Sequence, residues 1–418
     1  MDSHSKKSYG YRAPGKGRGS RAQKTEIPLT PAPPLGDILA TIEHDDLKET
    51  EDQAFDSARI TETQYLTSYN WLSEGHRIIV PGEPPMWTPL SEPVRLRQDS
   101  GQYYRDLNAA RHPSYPLEPM VQAISSDKPD ISLRNIDIIA CGSTLGNLLR
   151  FARRHAPSFR MLVEVVGNTV FFVRRANSPT ELIPGVFGYG HAFPEAYTTW
   201  SQGARGWESH QRIIGYKLAG MRCLVRFEAD GFLPGLMPED LGSGKENADQ
   251  SSDTVEDLMS VMQGATISGM QPTTTTTDVE SKEIQILKKG RYIPQCGIFD
   301  LKTRSIRKIS VDILKEEIPR LWIRQIPNFI IAYHSLGTFN DIRVQDVRED
   351  LKKWEEAQQP NLIRFANLLQ MIVAFARSSE NGKIEIEYQE GEQGLNLREQ
   401  VGIVNNVLPS ALMSLWED

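Results

Sequence analysis

Across its 418 residues the sequence contains only three cysteines, Cys141, Cys223 and Cys296, with no CxxC pair among them. That excludes a disulfide framework and a zinc knuckle and leaves thiols of the buried, unpaired kind. No apolar run approaches the ~20 residues needed to cross a bilayer, so the chain is expected to be soluble, with no membrane partner. Behind the basic residues of Met1 to Lys24 there is no apolar segment, which speaks against a secretory signal and for an intracellular protein. His191, His210 and His334 show neither HxxxH nor HExxH spacing and receive no metal role. No internal repeat is visible. An excess of positive charge is also lacking: the formal net charge is −7, so any contact with nucleic acid must rely on local basic patches.

What is present is a globular composition framed by two biased segments. Residues 1–35, with "KKSYGYRAPGKGRGSRAQK" and "PLTPAPPLG", form a disordered basic, Pro-rich tail that could touch phosphates or serve as a nuclear import signal. A polar stretch at about 235–281, including "TTTTT", reads as a disordered insertion into a single domain spanning 36–418. Within the domain, "TETQYLTSYNWL" and "HRIIV" read as strands and "YPLEPMVQAIS" as a short helix. "IDIIACGSTLGNLLRFARR" reads as a strand, a Gly-bounded turn and a helix, with Ser143 or Thr144 as its N-cap ahead of a phosphate-cradling alternative. "FRMLVEVVGNTVFFVRR" reads as a hairpin turning at Gly167-Asn168. "EIQILKKGRYIPQCGIFDLKT" reads as two strands, "PNLIRFANLLQMIVAFARSS" as an amphipathic helix, "KIEIEYQE" as a half-exposed or edge strand, and Trp322 as a core anchor.

Two strands carry polar couplets. In "FEADG", Glu228 and Asp230 stand two apart; in "FDLKT", so do Asp300 and Lys302. Alternate residues of a strand share a face, so neighbouring strands would bring three carboxylates and an ammonium together. Crowded carboxylates favour a divalent cation, and all-oxygen ligation points to Mg2+ or Mn2+. A lysine beside such an ion can steer water or stabilise charge on a phosphoryl oxygen. The plain alternative is a pair of solvated surface ion pairs. Arg174, Arg175, Lys288, Lys289 and Arg291 could line a nucleic-acid channel or simply be solvated. The acidic run "HDDLKETED" is superficially like a prenyl diphosphate synthase motif, but it has no partner motif and precedes a β-rich chain.

A Glu-x-Asp strand ahead of an acid-x-Lys strand that leads into a helix is the order of the PD-(D/E)XK nuclease core. From Tyr65 to Arg377 the sequence resembles one branch of it, the DXO-type decapping exonucleases, in "IIACGSTLGNLL", "YGHAFPEAYT", "FEADG", "FDLKT" and "LWIRQIPNFIIAYHSLGTF". The resemblance implies an α+β fold, a mixed sheet flanked by helices, and metal-dependent processing of RNA 5′ ends. It also implies metal ligation by Glu228, Asp230, Asp300 and Glu195, Lys302 at the attacking water, and Gln325 and Cys141 at substrate positions. Nuclear or nucleocytoplasmic location and a nuclear 5′–3′ exoribonuclease partner follow from the same likeness. Three departures stand out: Cys141 replaces an arginine, "GHAFPE" has one extra residue, and Asp300 replaces the usual glutamate. The rival expectation is an inactive relative that binds RNA or the exoribonuclease.

Overall fold

The computed structural model describes residues 30–48, 57–204, 206–237, 283–402 and 404–416. Most of the expected tail, and the expected insertion beyond Met237, lie outside the described residues. In chain order come β1 (Ile38–Glu43), β2 (Ile60–Leu72), β3 (Arg77–Val80), β4 (Met86–Trp87), α1 (Leu107–Arg111) and α2 (Glu118–Asp127). There follow β5 (Ile138–Cys141), α3 (Gly142–Ala152), β6 (Phe159–Val166), β7 (Thr169–Arg174), α4 (Ala192–Tyr197), β8 (Thr198–Thr199), β9 (Trp207–Leu218), β10 (Met221–Glu228) and β11 (Gly231–Phe232). After residue 282 the chain forms β12 (Gln285–Lys288), β13 (Ile298–Ser305), α5 (Ile313–Arg324), β14 (Asn328–Ser335), β15 (Thr338–Asp346) and α6 (Arg348–Ala357). It closes with α7 (Gln359–Ser378), β16 (Lys383–Tyr388), β17 (Gly394–Glu399) and α8 (Ser410–Met413).

Among the described residues, eleven strands make one mixed sheet in the order β1-β17-β16-β6-β7-β5-β10-β9-β2-β3-β12, and six make a second, β15-β14-β13-β11-β4-β8. The fold is thus α+β, with mixed sheets flanked by helices. The larger sheet is covered on both faces, which is why its central strands read as continuous apolar runs. Ile138 and Ala140 of β5 join a core with α3, α5 and α7. Ile139 between them joins the core beneath α2.

The hairpin forms as expected, Val166 pairing with Thr169 across Gly167, whose φ of 58° suits the first turn position. Other expectations change. α3 begins at Gly142 directly after β5, so no separate turn exists; Cys141 is the N-cap residue and makes no side-chain cap, while Thr144 Oγ1 donates to the Cys141 carbonyl at 2.7 Å. The two strands read in "EIQILKKGRYIPQCGIFDLKT" form but do not pair with each other: β12 pairs with β3, and β13 belongs to the other sheet. β16 lies inside the larger sheet, where Glu385 is neutralised by Arg160 and Arg175 and Glu387 by Arg398. Such pairing is what allows a strand of alternating acids to be buried.

Two connections set up the site. β10 ends at Glu228, and after Ala229 and Asp230 the chain enters β11 of the second sheet, where Gly231 pairs with Phe299. The parallel strands β13 and β14 are joined by α5, so that helix must cross back along the sheet.

Candidate functional site

Phe299 and Leu301 of β13 enter the small core of the second sheet, and Asp300 projects to the opposite face. There it meets α5, on which Arg320 and Arg324 stand one turn apart. Arg320 grips Asp300 with both terminal nitrogens: Nη2 donates to Oδ1 at 2.8 Å and Nη1 to Oδ2 at 2.5 Å. Arg324 Nη1 adds a bond to Oδ2 at 3.2 Å. Asp300 is 1% exposed. The other side of Arg320 is held by Glu317, to which its Nε donates at 2.8 Å.

Asp230 lies beside this cluster, its Oδ2 accepting from the Leu301 backbone N–H at 2.6 Å. Burial and the adjacent Asp300 push its carboxyl up to about 7, against the pull of Lys302 and Arg320. Burial would also raise Asp300, but Arg320, Arg324 and Lys302 outweigh it and hold that carboxyl at about 2. Glu228 is raised as well, by desolvation within the surrounding protein, although solvent reaches its carboxylate. Since the folded chain binds the Asp230 proton more tightly than the unfolded chain, stability falls as pH rises from 3.8 to about 7 and levels off above that. Asp230→Asn is therefore expected to stabilise the protein by on the order of 1–2 kcal/mol near pH 8, and to lose that gain near pH 4. Thermal melts across this range check the sign.

Two clefts open on either side of the cluster. The first, of about 880 Å³, is lined by Asp230, Lys302 and Arg320 together with Arg304, Arg307 and Lys308. Phe187, Tyr189, His191 and His334 complete its wall. The second, of about 1090 Å³, is lined by Glu228, Glu195, Cys141, Arg174, Arg226 and Arg324. Glu228 and Asp230 thus converge on the sheet junction but face different clefts. Glu195 sits exposed on α4, whose N-terminus is held by Asp99 accepting from the His191 and Ala192 N–H groups at 3.0 and 2.9 Å.

Cys141 lines the second cleft, where a guanidinium is brought beside it from the next strand. Arg226 pairs with Cys141 in the parallel register of β10 and β5, and its Nη2 donates to Sγ at 2.9 Å. Its Nη1 donates to the Pro116 carbonyl at 3.0 Å. Gln325 is not brought to the site. It ends α5 in the left-handed conformation, φ 50°, and its amide donates to the Trp322 carbonyl at 2.7 Å while accepting from Thr63 at 3.3 Å. Sequence reasoning missed Arg226, Arg320 and Arg324. For the last two a signal was present, arginines at i and i+4 on the helix that follows the acid-x-Lys strand.

Mg2+ or Mn2+ would need carboxylate oxygens turned toward one point. Both oxygens of Asp300 are occupied by guanidinium, and one of Asp230 by a backbone amide. Among the described residues no three His, Cys, Asp or Glu side chains are grouped to hold a metal ion. As arranged, these side chains do not fit the ion.

The family model described as a domain of unknown function, DUF8563, matches residues 37–398. The chain belongs to the DUF8563 family. No curated protein matches its sequence. In structure the DUF8563 chain is similar to Scheffersomyces stipitis Rai1 in complex with (3′-NADP)+ and calcium ion, at TM-score 0.56 and 11% identity, covering 93% of this chain and 100% of that one. It is similar to Candida albicans Rai1 in complex with pU5-Mn2+, at TM-score 0.51 and 11% identity, covering 87% and 98%. S. pombe Rai1 in complex with 3′-FADP also matches, at TM-score 0.51 and 11% identity, covering 87% and 99%. The likeness extends over nearly the whole of those chains, and at such identity it is one of fold. The DUF8563 chain therefore has the fold expected from the DXO-type resemblance.

Proposed function

We propose that this chain binds the 5′ end of a single RNA strand at the sheet junction, with the trailing nucleotides in the first cleft. The observation that carries this is the wall of that cleft, where Lys302, Arg307 and Lys308 stand beside Arg304 and Arg320, which are paired with Glu317 and Asp300, and Asp230 is the one acid in the wall. On a chain of net charge −7 this is a local reversal of sign. Aromatic rings line the same cleft as the cations, and Phe187 among them is 82% exposed. Cations that track phosphates and rings on which bases stack are the two parts of a single-strand groove. The fold shared with a Rai1 structure in complex with pU5-Mn2+ supports the same ligand class. Nuclear residence and a nuclear 5′–3′ exoribonuclease partner, implied by the family resemblance, belong to the same proposal.

The test is the affinity of 3′-labelled oligoribonucleotides bearing 5′-hydroxyl, monophosphate, triphosphate or capped ends, measured in EDTA over a series of salt concentrations. Phosphorylated ends are expected to bind more tightly than the hydroxyl. Arg307→Ala/Lys308→Ala, at exposed positions, is expected to flatten the log K against log salt slope by about 0.7 per charge removed. No binding, or an unchanged slope, overturns the proposal.

A second reading, Mg2+- or Mn2+-dependent hydrolysis of the same end, is favoured by Asp230 and Lys302 lining one cleft, and it would require Arg320 and Arg324 to leave Asp300. The same RNAs with metal added separate the two. Under hydrolysis they are cut and Lys302→Ala stops the cutting; under binding alone they stay intact.

A further inference from the structure

We infer that Arg320 and Arg324 stand in the place of a divalent cation at Asp300, so that the junction is neutralised by fixed guanidinium charge and takes up neither Mg2+ nor Mn2+. This deepens the binding reading above, on which it rests for the site's ligand, but the exclusion of metal is tested without RNA.

The two arginines are built into the fold rather than draped over it. Between them on α5, Leu321, Trp322 and Ile323 are each at most 1% exposed, and Trp322 Nε1 donates to Glu355 Oε2 at 2.8 Å, which fixes the rotation of the helix. With that face anchored, positions 320 and 324 must point at β13. Arg324 passes over Gly142, where a Cβ would come within 3.2 Å of its Cγ and Nε; the glycine makes room for the side chain. Its guanidinium lies 5.9 Å from the centre of the Phe227 ring.

Charge accounting leads to the same conclusion. Even with Asp230 ionised, Asp300, Asp230, Glu228 and Glu317 are matched by Arg320, Arg324, Lys302 and Arg304, and with Asp230 protonated the cations are in excess. A carboxylate cluster recruits a divalent ion because it is under-neutralised; this one already has its counter-charge in covalent form. Adding an ion would leave at least two excess positive charges beside Asp300, which is buried, or require both guanidinium groups to leave it.

Mn2+ binding by the full chain, followed by electron paramagnetic resonance without RNA, tests this directly. The parent protein is expected to show no saturable site up to millimolar Mn2+. Arg320→Met/Arg324→Met, which keeps the side-chain bulk and removes the charge, is expected to gain a site at least about tenfold tighter, and Asp300→Asn in that background to abolish it. Arg324→Met alone keeps the Arg320 grip and is expected to gain a weaker site, which covers the case of a double variant that does not fold. Micromolar Mn2+ binding by the parent that is lost in Glu228→Gln overturns the inference. So does a folded double variant that still binds no Mn2+, since the arginines would then not be what excludes the ion. RNA affinity in EDTA is read separately: if it is absent while the metal results hold, the RNA-binding proposal fails and the exclusion of metal stands.

Discussion

Asp300→Ala is expected to destabilise the protein by about 3–5 kcal/mol, because it removes one partner of a buried charge cluster and leaves the other without counter-charge. The side chain is 2% exposed, while those of Arg320 and Arg324 are 24% and 16% exposed, too little for water to take over solvation of two guanidinium groups. Part of the loss is Coulombic, and part is the stranding of charge-assisted donors now lacking acceptors. Chemical denaturation near neutral pH reads it as a lower midpoint at unchanged slope. Replacing Asp300, Arg320 and Arg324 together by apolar residues of similar bulk is expected to cost much less, since burying a complete ion cluster contributes little net stability. An Asp300→Ala effect as large in the absence of both arginines would show that the carboxylate acts through other contacts. There is a practical consequence for assays of function. Loss of RNA binding or cleavage in Asp300→Ala is ambiguous with unfolding, so Lys302, on the wall of the first cleft and outside the bonds that hold Asp300, is the cleaner probe.

Much of this arrangement could be read from the chain, and the part that could not has a physical pattern. Period-two alternation is a local property, and in "FDLKT" it set Asp300 against Phe299 and Leu301; in "FEADG" it failed, because β10 ends at Glu228 and the chain turns into β11, leaving Glu228 and Asp230 in different clefts. The hairpin at Gly167 and the helix from Gln359 to Ser378 were also local and legible. What neutralises the acids was not local. Arg320 and Arg324 reach Asp300 only because α5 crosses back along its sheet between parallel strands, and a sequence pattern does not say which helical face will lie over which strand. In the same way Arg226 comes to lie beside Cys141 through pairing between strands distant in sequence. Gln325 failed for the opposite reason: a backbone detail, the left-handed end of α5, turned its amide back onto the helix. The buried acids of β16 looked solvent-facing because their arginine partners meet them only across the sheet: Arg160 and Arg175, far upstream, at Glu385, and Arg398, on the neighbouring strand, at Glu387.

Gly231→Ala is expected to be the most damaging single-methyl change at the junction, costing about 3 kcal/mol. An added Cβ would come within 2.4 Å of Phe299 Cζ and 2.7 Å of the Pro85 carbonyl oxygen, so something has to move. The Phe299 ring is fully buried and edge-on to Trp87, with centroids 5.7 Å apart, so it has no space to swing into. The Pro85 carbonyl is held by the Phe232 N–H at 3.0 Å and belongs to the loop that places β4 beside β11. The cheapest relief is therefore displacement of residue 231 itself, which carries Asp230 away from the Leu301 amide and opens the seam between the two sheets. Loss of stability and weakened RNA binding are thus expected together, although position 231 lines neither cleft. Phe299→Leu in the same chain should return part of the stability by clearing the ring from the new methyl. If Gly231→Ala proves neutral, or Phe299→Leu adds its own cost without compensation, the junction is not held by the close packing of β11 on β13, and the convergence of the acids must be enforced elsewhere.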